Sequence, residues 1–172
     1  MPRTTSQKNT GSPHSPKSRK EEQEFGPGKK EIVICKDCSA VYGEKHWRHS
    51  MEEEKHLGED KQVRFAVCPA CQMKRDKTFE GQVIVENVPV DLRSEIERLI
   101  YRVGDRANRR DPMDRILDLR SRKNGFEVRT SENQLAISMG KQIARAYKKA
   151  KAEVQLSEGE SVARVRVVFP KK

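Results

Sequence analysis

Aromatic side chains are scarce: one tryptophan, three tyrosines and five phenylalanines stand among 172 residues. A platform that stacks single-stranded bases on exposed rings is therefore not the expected mode of action. Apolar residues of all kinds make up 34% of the chain against 36% charged. So little apolar surface cannot offset the conformational entropy of ordering the whole length, and part of the chain is expected to stay unfolded. No apolar run is long enough to span a bilayer and no secretory h-region is present, which predicts a soluble, cytoplasmic protein with no membrane partner. Missing too are the Gly-rich phosphate loop, the HExxH metal helix and the GxSxG nucleophile elbow. The carboxylates stand mostly beside basic residues. A non-enzyme is expected, with no small-molecule substrate evident.

Residues 1–30 combine Ser, Thr, Pro, Gly and charges, with Phe25 the one large apolar residue beyond Met1. They read as a disordered basic tail. A mitochondrial presequence is the rival reading, but its helical stripe would be broken by the prolines and glycines. Lys and Arg outnumber Asp and Glu by 36 to 26, a formal net charge of +10. Such an excess favours polyanions, nucleic acid foremost, because each neutralised phosphate releases condensed counterions. A solubilising charged surface is the plainer alternative.

The four cysteines form two CxxC pairs, Cys35-Lys36-Asp37-Cys38 and Cys68-Pro69-Ala70-Cys71. Each pair aims two sulfurs at one point, and two pairs complete a tetrahedral cage for which zinc is the usual occupant. Ile32–Ile34 and Phe65–Val67 precede the pairs as strand-like runs, the knuckle pattern of a zinc ribbon over residues 31–80. Other readings are two disulfides, which need an oxidising compartment, a redox CxxC, which normally stands alone, and iron, which accepts the same ligands. Four thiolates leave no open coordination position, so one structural Zn²⁺ is expected. Twenty-nine residues separate Cys38 from Cys68, enough for a loop or a short helix at Ser50 to His56. His46 and His49 lie in that insert and read as surface or packing residues. Trp47 reads as a cover for the knuckles or a contact for a partner.

Residues 81–172 read as an α+β domain. Gln82 to Val88 forms a strand. From Leu92, with Asp91 as N-cap, Ile96, Leu99, Ile100 and Val103 recur at helical spacing until Gly104. Arg115 to Ser121 and Phe126 to Arg129 flank Asn124-Gly125, the signal for a type I′ hairpin turn, with a helix through Met113 to Leu119 as the alternative. Ser131 and Gln134 make a capping box for a second helix with Leu135, Met139, Ile143 and Tyr147 inward. Its Lys141, Arg145, Lys148, Lys149 and Lys151 lie off that stripe. Ala152 to Leu156 and Ser161 to Phe169 close the chain as strands joined by a turn at Ser157 to Gly159. This order predicts a ferredoxin-like antiparallel sheet with two helices on one face.

Two stretches, Cys68 to Val85 and Arg115 to Phe169 with its GFEVRTSE strand, follow a particular family order. Over about residues 31–170 the pattern resembles the N-terminal module of the nonsense-mediated-decay protein three family, the adaptor of large ribosomal subunit export, here in a short stand-alone version. The resemblance implies association with ribosomal RNA or a ribosomal subunit. Lys36, Arg48, Lys74, Arg75 and Lys77 on the ribbon and Arg106, Arg109 and Arg110 beyond it would then contact phosphates without reading sequence. A protein-interaction adaptor is the alternative.

Overall fold

A computed structural model describes residues 23–26, 31–50, 62–156 and 162–171. Strands β1 (Glu31–Cys35), β2 (Val41–Gly43), β3 (His46–Arg48) and β4 (Gln62–Ala66) form one sheet in the order β3-β2-β1-β4. β4 runs parallel to β1, while β1, β2 and β3 are antiparallel. Helix α1 (Pro69–Asp76) follows. The second sheet takes β5 (Gly81–Glu86), β6 (Ile116–Arg122), β7 (Gly125–Thr130), β8 (Lys151–Leu156) and β9 (Ala163–Val168) in the order β6-β7-β5-β9-β8. Helices α2 (Arg93–Arg110) and α3 (Asn133–Ala146) pack on it. Among the described residues, no helix is long and apolar enough to cross a membrane.

The α+β class and the order of elements follow the sequence. Alternation turns Val83, Val85, Phe126, Val128, Val165 and Val167 inward, where they meet Ile96, Ile100, Met139 and Ile143 in one core. Both helices therefore lie on one face. The sheet is mixed, however, and not wholly antiparallel. After α3 the chain runs first along the outer edge as β8, then turns back as β9, so that β9 lies parallel to β5.

Four local expectations are corrected. Helix α2 does not stop at Gly104 but continues to Arg110. Gly104 is there for close packing, since a Cβ would lie 2.4 Å from the Ile116 side chain. At the other end Leu92, not Asp91, is the N-cap, after a 3-10 turn over Val90–Leu92. The β6–β7 hairpin pairs Arg122 with Gly125, which leaves Lys123 and Asn124 as the loop. Neither has positive φ, so the turn is not type I′. Gly125 instead permits close approach, because a Cβ there would fall 1.8 Å from the Val85 carbonyl oxygen. Ser131 caps no helix: α3 starts after Glu132 without a side-chain cap. The Ser50 to His56 helix and the Ser157 to Gly159 turn fall outside the described residues apart from Ser50, which lies in no helix.

A turn of the type I′ kind does occur elsewhere. Glu44 and Lys45 join β2 to β3 with φ of 48° and 67°, the left-handed conformation that Asn and Gly adopt most easily. Lys45→Gly should raise stability by up to about 1 kcal/mol, the steric relief outweighing the added chain entropy. Denaturant unfolding of the metal-loaded protein checks this, and an unchanged or lower midpoint would count against it.

The reading of residues 1–30 as tail also meets a limit. Residues 23–25 make a helical turn, and Phe25 is only 3% exposed. Its ring centroid lies 5.4 Å from that of Tyr42 and 5.2 Å from that of Trp47. Apolar area explains the docking, since Phe25 adds a large ring to a core with few others.

Candidate metal centre

The strand geometry brings the two cysteine pairs together. β1 ends at Cys35, and Ser39, at φ 61°, lets the chain reverse so that Cys35 N–H reaches the Ala40 carbonyl at 2.8 Å. Because β4 is parallel to β1 with Ala66 opposite Cys35, Cys68 emerges beside the first pair. The second pair is not a plain knuckle. Cys68 is the N-cap of α1, its sulfur accepting from Cys71 N–H at 3.4 Å, and Pro69 opens the helix where a missing N–H does no harm. Both sulfurs thus lie at the positive end of a helix dipole, which favours thiolates.

The four sulfurs all lie within 4.8 Å of one another, and Cys38 and Cys68 are 3.7 Å apart. A tetrahedral site with metal–sulfur bonds of about 2.3 Å has sulfur–sulfur edges of about 3.8 Å, so the donor set fits one metal ion. None of the four is in a disulfide. Cys35, Cys68 and Cys71 are buried, and Cys38 is half-buried at the wall of a cavity of about 410 Å³. Burial opposes ionisation of Cys35, but the N–H groups of Cys68, Asp37 and Cys38 outweigh it and bring its pKa down to about 7. Burial raises Cys68, against the Cys71 N–H, and pushes Cys71 up to about 11.

A cation from the second half of the chain completes the site. Arg115 donates to Cys38 Sγ at 3.1 Å and to Cys71 Sγ at 3.5 Å, while its Nε donates to the Pro112 carbonyl at 2.5 Å. Burial works against its charge, yet the Cys38 contact and the nearby sulfurs hold its pKa above the ordinary value. Four thiolates around a divalent ion carry a net charge of about −2, which a forked guanidinium partly balances. Met113 joins the cysteine core from the same segment. Ser131 holds that segment by donating to the Met113 carbonyl at 2.5 Å and accepting from Arg115 N–H at 2.7 Å. His49 Nε2 lies 2.6 Å from the Asn108 carbonyl of α2, a second tie, and the sulfur cluster includes neither His46 nor His49.

The sequence reading missed Arg115 because it looked like the first residue of a strand. The Asp111-Pro112 turn before it was the one available signal, and Asp111 does accept from Met113 N–H at 2.8 Å. Lys36 lies in the first cysteine turn, Lys74 and Arg75 on α1, and Lys77 at the C-cap of α1. Arg75 forks onto Asp37 at 2.8 and 2.5 Å and so ties α1 to the first pair. Arg48 is half-buried and donates to the Gly43 carbonyl. Arg106, Arg109 and Arg110 are exposed on the last turns of α2, apart from the cysteine cluster. Trp47 is 6% exposed within the cysteine core and covers it.

Fold and site define a small four-cysteine module, its sulfurs placed to hold one metal ion, docked on an α+β domain. No protein-family model and no curated protein sequence matches this chain.

Proposed function

We propose that this chain is a non-catalytic zinc protein that associates with RNA, foremost with ribosomal RNA or a ribosomal subunit, through a basic surface whose geometry the metal helps to set. The observation that carries the reading is the Arg115 contact with the cage, which ties the metal to the domain bearing most of the cationic side chains. Four sulfurs occupy every position of a tetrahedral ion, leaving none for substrate or activated water. The net charge of +10 supports a polyanionic partner. The pattern shared with the ribosomal export adaptor family points the same way.

Lysate sedimentation on a gradient tests it. The protein should travel with ribosomal particles in magnesium and leave them when magnesium is withdrawn. Remaining at the top of the gradient in both conditions would refute the reading. One observation favours the adaptor alternative: edge strand β4 exposes Val63 at 48% and Phe65 at 59%, as a site of strand addition would. Partners that survive nuclease treatment in a pull-down would support that reading instead.

A further inference from the structure

Two surfaces of the α+β domain carry several cations, and their surroundings differ. On the open sheet face Arg120 pairs with Asp118, Arg122 and Arg129 with Glu127, and Arg166 with Glu86. Glu127, first through Arg122 and then Gln82 and Arg129, is held below the ordinary carboxylate range. Each of those four arginines already has a carboxylate partner in the fold, Arg122 and Arg129 sharing Glu127.

Between α2 and α3 the situation is the opposite. A groove of about 600 Å³ is lined by Arg106 and Arg110 from α2 and by Lys141 and Arg145 from α3. All four side chains are exposed, and no described residue makes a hydrogen bond or ion pair with any of them. Each helix places its two cations four residues apart, so that like charges are neighbours along both walls. Asp114 is the one carboxylate in the lining. Ser138 and Gln142, which bond each other at 3.0 Å, add neutral hydrogen-bonding groups to the α3 wall. Like charges gathered at i and i+4 on both walls disfavour the empty groove and favour an anion in it.

We infer that this groove, and not the sheet face, seats the phosphodiester backbone of the bound RNA, with Arg106, Arg110, Lys141 and Arg145 as its phosphate contacts. This rests on the RNA-binding reading above and names the surface that performs it. Lys141 and Arg145 join the site only because α3 packs beside α2. Arg106 and Arg110 share a wall because α2 remains helical past Gly104.

The test uses the full metal-loaded chain and a labelled RNA hairpin, with affinity measured across a salt series. Replacing all four cations by Gln should weaken binding at least tenfold and reduce the slope of log affinity against log salt by about 3 to 4. Exchanging Lys for Arg and Arg for Lys at the same four positions should keep the slope. A control with Arg120 and Arg166 of the sheet face changed to Gln should bind much more like the wild type. If the groove variant, folded by circular dichroism, binds as wild type while the control loses affinity, the groove assignment is wrong and the RNA reading stands. If the wild type itself shows no affinity for RNA, both fall.

Discussion

Removal of the metal, or joint replacement of Cys35 and Cys68 by Ser, is expected to unfold residues 31–76 while the second sheet and its helices persist. The core of the first module is small. Apart from the cysteines, its described cluster contains Phe25, Val33, Ala40, Tyr42, Trp47 and Ala70, with Met113 contributed from outside, and Ile32 and Val41 are buried beyond that cluster. A core of that size does not offset the entropy of ordering its chain without a staple. Structural zinc supplies about 10–16 kcal/mol in small modules at neutral pH, comparable with the whole stability of a domain. The second domain keeps its own core around Val83, Ile96, Ile100, Met139 and Val165. Trp47 is the sole tryptophan and is buried beside the cysteines, which makes it a local reporter. Chelation should shift its emission to the red and remove amide protection from β1 to β4, with most far-ultraviolet ellipticity retained. Purified reduced protein lacking stoichiometric metal, with the same Trp47 emission in the double Ser variant, would sink the metal-centred account.

Arg115→Ala should lower metal affinity by about 10–100-fold, the usual effect of losing an outer partner of metal ligands. Its forked head touches two sulfurs from different pairs, Cys38 and Cys71, and its Nε is fixed on the Pro112 carbonyl. Truncation leaves the anionic cage without that cation and opens a gap at the contact between the modules. Arg115→Lys keeps the charge but loses the fork, and should recover only part of the affinity. Competition with a chelator gives the affinity. Metal-induced change in the melting of the second domain gives the coupling, which should shrink in the Ala variant. Wild-type values for both in Arg115→Ala would show that the contact is incidental.

Much of the domain was legible because its signals are local. Val83, Val85, Val165 and Val167 announce strands by alternation, and Leu135, Met139 and Ile143 announce a helix by their spacing. The cysteine cage was legible because CxxC spacing restricts where two sulfurs can point. Signals with two physical explanations misled. Gly104 looked like a helix stop, and its reason is the Ile116 side chain packed against it. Asn124-Gly125 marked the hairpin correctly but not its turn type: the loop is Lys123 and Asn124, and the glycine is required by the Val85 carbonyl across the sheet. Ser131 looked like a cap, but its hydroxyl is held by the segment that carries Met113 and Arg115.

By itself the sequence determined the α+β class, the approximate positions of the elements, the four sulfur ligands and the excess of positive charge, since each depends on residues near one another in the chain. The tertiary structure alone decided that β9 lies parallel to β5, that Arg115 meets the cage from 44 and 77 residues away, and that the cations of α2 and α3 share one groove. Those depend on how distant segments pack, and a charge or a glycine carries no mark of the neighbour it will meet across the fold.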